Sequence, residues 1–68
     1  MEEIKWNVRA LAANRKQSIE ALADDAGIDP THLRNVSTGR AVMYARELLA
    51  LSVLTGVPPF NIETEYHS

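Results

Sequence analysis

The chain has no cysteine, only two histidines, and only three glycines and three prolines among its 68 residues. Without cysteine, disulfide bonds, thiol catalysis and cysteine-based zinc sites are excluded, and a reducing compartment is the simplest expectation. His32 and His67 are far apart in sequence and have no neighbouring ligand cluster, so we expect no metal site. No apolar run approaches the roughly 18 residues that a membrane span requires, and the acidic amino terminus is unlike a secretory signal.

The apolar content is sufficient for one small folded domain. Hydrophobic residues make up 46% of the chain and charged residues 24%, which is ordinary for a soluble globular protein. We expect no enzyme, no cofactor and no small-molecule substrate, because no catalytic constellation is present. Ser18 and His32 with an aspartate would form a poor triad, since Ser18 is expected to cap a helix.

Helical periodicity dominates the first half of the chain, and no segment alternates in the manner of a strand. Ile4, Val8 and Leu11 recur at helical spacing and predict a first helix. Ser18 is a favourable N-cap for a second helix, and Gly27 is suited to the left-handed position just past its end.

The rest of the chain predicts three more short helices. Pro30 suits a first helical position, so a third helix is expected over Thr31 to Ser37. A fourth is expected from about Ala45 to Thr55, and Pro58-Pro59 begin a short fifth helix. The sequence thus predicts an all-α domain over residues 1–63, followed by a frayed polar tail over residues 64–68.

Two short helices joined through Gly27-Ile28-Asp29 are typical of a helix-turn-helix, because Ala23 lets the helices approach and the glycine makes the turn. The segment from Ser18 to Arg40 resembles the core of the phage lambda repressor/Cro (XRE-type) helix-turn-helix family. Leu48 to Val57 is similar to that family's fourth helix and its closing Gly-Val. The resemblance extends over roughly residues 4 to 63. It implies a compact five-helix, lambda-repressor-like domain whose third helix enters the DNA major groove, usually as a dimer.

The resemblance also implies which residues contact DNA. Base contacts would come from the third helix, through Pro30, Thr31, His32, Arg34 and Asn35. Arg34 can bind guanine and Asn35 adenine in the bidentate manner that the major groove favours. Backbone or supporting contacts would come from residues around the two motif helices, namely Arg15, Lys16, Ile19, Thr38 and Arg40. The favoured function is a phage or prophage transcription regulator of the lysis–lysogeny type, which binds double-stranded operator DNA in the bacterial cytoplasm.

The charge of the chain and two of its residues favour an alternative function. Nine acidic residues stand against seven basic ones, whereas affinity for DNA depends on neutralising phosphates. The family often has glutamine where this chain has Ile19 and Pro30, and neither side chain can donate a hydrogen bond. The alternative is an antirepressor or modulator that binds a repressor protein through the same face. An antitoxin is a third hypothesis, for which no toxin-binding segment is recognised.

Several apolar residues have no clear place in the predicted core. They are Val42, Met43, Tyr44, Leu49, Val53 and Phe60. Together they predict an exposed apolar patch, which in a soluble domain often marks a partner site. A homodimer is among the assemblies that the resemblance implies. The alternative is that the small core simply wraps around them, since surfaces contain many single apolar residues.

Overall fold

The computed structural model describes residues 5–66, and this part of the chain is all-α. It contains no strand, and its isolated β-bridge pairs Trp6 with Ile62. No helix in it has the length and apolar character needed to cross a membrane. Where a fifth helix was predicted, a three-residue turn of 3₁₀ helix forms. The elements, in chain order, are α1 (Val8–Asn14), α2 (Ile19–Ala26), α3 (Pro30–Ser37), α4 (Ala45–Thr55) and the 3₁₀ helix (Pro59–Asn61).

Local signals set the bounds of α2 and α3. The Ser18 hydroxyl accepts a hydrogen bond from the Ala21 N–H at 3.1 Å, which satisfies a donor that the helix leaves unpaired. Gly27 ends α2 with a φ of 73°, a left-handed conformation that costs glycine little. Pro30 is the first residue of α3, as predicted, but Asp29 makes no side-chain capping bond.

The first helix begins later than the spacing of Ile4, Val8 and Leu11 predicts. Trp6 is extended instead, because its N–H donates to the Asn61 carbonyl at 2.6 Å and its own carbonyl accepts a further bond from the C-terminal segment. The Asn7 side chain then caps α1 by accepting the Ala10 N–H at 2.7 Å. Ile4 lies outside the described residues.

The helices enclose one hydrophobic core to which every element except the 3₁₀ helix contributes a fully buried residue. Its largest fully buried side chains are Leu11, Leu22, Leu33, Leu51, Ile62, Val8 and Val36. Ala23, also fully buried, lets α2 and α3 pack closely. Leu33 and Val36 of α3 are both fully buried, which leaves the opposite side of that helix for contacts with α2 and solvent.

Tyr66 lies in the segment that was expected to fray. Its ring packs against the core, and its hydroxyl accepts the Val8 N–H at 2.9 Å. Val8 is the first residue of α1, so this hydroxyl satisfies one of the N–H groups that the helix cannot pair internally. The contacts of the domain therefore extend past residue 63.

Candidate functional site

The candidate site is formed by the start of α2 and the side of α3 that faces away from the core. Arg34 and Asn35 follow Thr31 by three and four residues, so all three share one side of α3, opposite Leu33 and Val36. Thr31 and Arg34 are exposed, and Asn35 is half-buried. This surface, called the α2–α3 face below, consists of Ile19, Glu20, Pro30, Thr31, Arg34 and Asn35.

The guanidinium of Arg34 forms an ion pair with Glu20 across the α2–α3 face. Its Nε donates to Oε2 of Glu20, and its Nη2 lies against the same oxygen. Both side chains remain accessible, with 59% of Arg34 and 42% of Glu20 exposed. The predicted guanine-binding residue therefore already has an anionic partner within the protein.

Glu20 lies in the first turn of α2, where unpaired N–H groups favour a negative charge. A hydrogen bond from its own backbone N–H lowers the pKa of Glu20, and the hydrogen bond from Arg34 lowers it further. Glu20 is thus held in its charged form on the α2–α3 face.

His32, a predicted base contact, turns from the α2–α3 face toward the start of α4. Its Nε2 lies 3.1 Å from Oε1 of Glu47. Its ring stacks on Tyr44, with centroids 5.2 Å apart and planes 9° apart. Glu47 is only 6% exposed, and the same Oε1 accepts the Tyr44 N–H at 2.8 Å. His32 therefore links α3 to α4.

The predicted supporting residues before α2 differ in how they are held. Arg15 is bound to α2, because its Nη2 lies 3.6 Å from Oδ2 of Asp25. Gln17 joins the same cluster by accepting from Arg15 and donating to Asp25. Lys16 is exposed and has a positive φ of 57°. Ile19 is half-buried and packs against the core, so only part of it is available to a partner.

The predicted supporting residues after α3 surround the carbonyl group of Asn35. This carbonyl accepts the Thr38 hydroxyl at 3.1 Å and the Arg40 N–H at 2.8 Å. The Arg40 side chain is exposed. Over residues 5–66, Lys16 and Arg40 form no ion pair, so both charges face solvent.

The surroundings of the α2–α3 face are acidic. From Ile19 to Ser37 the chain contains one guanidinium, that of Arg34, and four carboxylates. Asp24 lies four residues after Glu20 and so shares its side of α2. The carboxylates are Glu20, Asp24, Asp25 and Asp29, and the last three are exposed residues.

The predicted apolar patch is divided among separate places on the surface. Met43 is half-buried and packs against the core, so its assignment to an exposed patch is wrong. Val42 and Tyr44 line a cleft of about 700 Å³ together with Arg40 and Tyr66. Leu49 and Val53 line a different, shallower groove between α2 and α4. Phe60 is 69% exposed and lines neither.

Glu20 and Glu47 were absent from the predicted site residues, although each has a local signal. Glu20 follows the N-cap Ser18 by two positions, in the turn where acids are favoured. Glu47 follows Tyr44 by three positions, the spacing at which a glutamate returns to the N-cap N–H. Neither signal identifies the partner that the glutamate binds on α3.

Within the described range, no group of three or more potential metal ligands is present. No family model matches the chain, and no curated protein or solved structure gives a significant match. The function must therefore be inferred from the site itself.

Proposed function

We propose that this chain is a phage or prophage regulator of the lysis–lysogeny type that binds a repressor protein through the α2–α3 face and alters the repressor's DNA binding. The supporting observation is the charge of this face. Arg34 is paired with Glu20, and Asp24 and Asp29 add exposed negative charge beside it. The resemblance of Ser18 to Arg40 to XRE-type helix-turn-helix domains supports the assignment to this class of regulator.

Such a face is poorly suited to a DNA duplex. Binding to DNA requires cations to replace the counterions of the phosphates, and each nearby carboxylate opposes this. Arg34 would also have to leave Glu20 before it could bind a guanine. Against a repressor the same charges are favourable, since a surface that binds DNA presents lysine and arginine, and opposite potentials accelerate and orient association.

The apolar residues of the face support a protein partner as well. Ile19 and Pro30 lie at the first positions of α2 and α3, with carboxylates beside them. An apolar centre with a charged rim is the usual composition of a protein–protein interface. DNA bases offer little for these two side chains beyond the thymine methyl group.

Direct operator binding is the second candidate, and the placement of two cations favours it. Lys16 precedes α2 and Arg40 follows α3, and both are exposed without an ion-pair partner in the described part of the chain. Cations at these two places can contact the phosphates on either side of a major groove into which α3 is inserted. Thr31 and Asn35 would then face the bases.

An NMR titration of the ¹⁵N-labelled chain separates the two candidates. The probes are a random-sequence DNA duplex at low salt and a purified phage repressor with a basic DNA-binding surface. We expect shifts on the α2–α3 face with the repressor and a flat titration with DNA. Salt-sensitive DNA shifts at Thr31, Arg34 and Asn35, without a response to the repressor, would establish operator binding instead.

Substitutions that each remove one negative charge test whether the α2–α3 face itself binds the repressor. We expect Asp24→Asn and Asp29→Asn each to weaken repressor binding, because each removes a negative charge beside the face. Glu63→Gln is the matched control, since it removes the same charge at the C-terminal segment and should leave binding unchanged. Equal effects of all three variants would show that net charge, and not this face, governs the interaction.

A further inference from the structure

A cleft of about 700 Å³ lies between the connection from α3 to α4 and the C-terminal segment. It is called the aromatic cleft below, and it shares no residue with the α2–α3 face. The connection contributes Arg40, Val42 and Tyr44, and the C-terminal segment contributes Glu65 and Tyr66. The volume of the cleft lies in the range of about 300 to 1,000 Å³ that is usual for small-molecule sites.

The aromatic side chains of the cleft are held in place by contacts within the protein. The ring of Tyr44 stacks on His32, which also lines the cleft, yet Tyr44 remains 48% exposed. The Tyr66 ring packs against the core, and its hydroxyl accepts the Val8 N–H. Because these rings are already ordered, an aromatic guest loses little affinity to their immobilisation, and its own ring can meet theirs in an offset or edge-to-face arrangement.

Two opposite charges border the aromatic cleft and do not pair with each other. Arg40 and Glu65 are both exposed, and neither forms an ion pair within residues 5–66. Arg9 lines a neighbouring cleft together with Glu65 but forms no ion pair with it. In the described part of the chain, the aromatic cleft therefore offers one free cation and one free anion beside the apolar side chain of Val42, which is 68% exposed.

We propose that the aromatic cleft binds a small zwitterion that carries an aromatic side chain. The carboxylate of this ligand pairs with Arg40, and its ammonium group pairs with Glu65. The ring of the ligand packs against Tyr44 and Tyr66. Free aromatic amino acids and short peptides with free ends share this chemistry.

The two free charges favour a zwitterion over a ligand with a single charge. An anion bound at Arg40 would lie near the carboxylate of Glu65, and a cation bound at Glu65 would lie near the guanidinium of Arg40, so either would meet an uncompensated like charge. The α2–α3 face, by contrast, is acidic and fits a basic protein surface. The zwitterion site does not depend on what the α2–α3 face binds, because the two share no residue.

An NMR titration of the full ¹⁵N-labelled chain tests the proposal. The probes are l-phenylalanine and the dipeptide of two phenylalanines, each raised to millimolar concentration. We expect saturable shifts at residues 39–42 and 64–66, and none at Leu49 and Val53, which lie outside the cleft. The probe that saturates at the lower concentration identifies the ligand as a free amino acid or a short peptide. Flat titrations with both probes, or shifts that do not saturate, would overturn the proposal.

Removing one charge at a time tests the two ion pairs. Acetylation of the tighter probe removes its ammonium charge, amidation removes its carboxylate, and each should raise the dissociation constant about fivefold, the effect of one accessible ion pair. Glu65→Gln should weaken binding of the unmodified probe by the same factor but leave the acetylated form unchanged, and Arg40→Gln should do the same for the amidated form. Glu63→Gln is the matched control, because it removes a carboxylate of the same segment that does not line the cleft. Equal affinities of the three forms, or equal effects of Glu63→Gln and Glu65→Gln, would overturn the proposal.

Discussion

Glu20 and Glu47 both bind a residue of α3, but they do so on opposite sides of that helix and in different surroundings. Glu47 is 6% exposed and joins His32 to the backbone of Tyr44. The Glu20 side chain is 42% exposed and holds Arg34 at the surface. The Glu47 contact is shielded between α3 and α4, whereas the Glu20 contact between α2 and α3 is exposed to solvent.

This difference separates the side of α3 that contributes to stability from the side that we propose binds a partner. Removing a partner from a buried polar group leaves a donor or acceptor unsatisfied, which is costly. Removing a partner from a solvent-exposed ion pair is nearly neutral, since water replaces it. Arg34 and Glu20 can therefore exchange each other for groups of a bound partner, whereas His32 and Glu47 cannot separate without loosening the junction of α3 and α4.

The largest loss of stability is expected from Glu47→Ala, because this substitution removes the buried contacts that join α3 to α4. The substitution leaves the Tyr44 N–H and the His32 ring without their acceptor. We expect the free energy of unfolding, measured by urea denaturation, to fall by about 2 kcal/mol. Glu47→Gln retains an acceptor oxygen and should lose less.

Glu20→Ala is the matched variant on the exposed side. It removes a glutamate at the first turn of a helix, as Glu47→Ala does, and should change the unfolding free energy far less. Equal losses from the two alanine variants would contradict the distinction between the two sides of α3.

A smaller loss of stability is expected from Tyr66→Phe, which removes a hydrogen bond made by a half-buried side chain. Loss of the bond from the Val8 N–H should lower the unfolding free energy at neutral pH by about 1 kcal/mol. Stability should also depend on Tyr66 at alkaline pH. Burial raises its pKa to about 12, although the hydrogen bond from Val8 opposes the shift.

The sign of this alkaline effect follows from the direction of the shift. Above pH 10 the unfolded tyrosine loses its proton while the folded one keeps it, so stability falls as the pH rises from about 10 to about 12. Denaturation of the wild type and of Tyr66→Phe across this range measures the contribution. Parallel losses in both proteins would show that Tyr66 does not cause the decrease.

Elements governed by neighbouring residues could be predicted from the sequence. The bounds of α2 follow from Ser18 and Gly27, and α4 occupies the predicted range from Ala45 to Thr55. The start of α1 could not be predicted in this way. Trp6 lies within the segment whose periodicity predicts a helix, but its backbone pairs with residues near the opposite end of the chain.

The contacts of the candidate site could not be predicted from local sequence signals either. The resemblance implied base contacts for Arg34 and His32, but it did not identify their partners within the chain, which are 14 and 15 positions away. Whether a polar side chain faces a ligand or a neighbouring helix depends on the packing of the two helices, and periodicity within one helix contains no such information. For the same reason Leu49 and Met43 could not be distinguished as exposed and packed.

The smallest loss of stability is expected from Glu20→Gln. Its pH dependence tests whether the exposed ion pair with Arg34 contributes to folding. The pKa of Glu20 is lowered on folding, first by the hydrogen bond from its own N–H and then by that from Arg34. Its stabilising contribution is therefore present above the unfolded value of 4.5 and is lost as the pH falls through the lower folded value. The melting temperature of the wild type should approach that of Glu20→Gln as the solution is acidified. At neutral pH, Glu20→Gln should lower the melting temperature less than Tyr66→Phe does. A difference at neutral pH as large as that for Glu47→Ala would mean that Arg34 is a fixed structural residue, which would remove it from the proposed binding face.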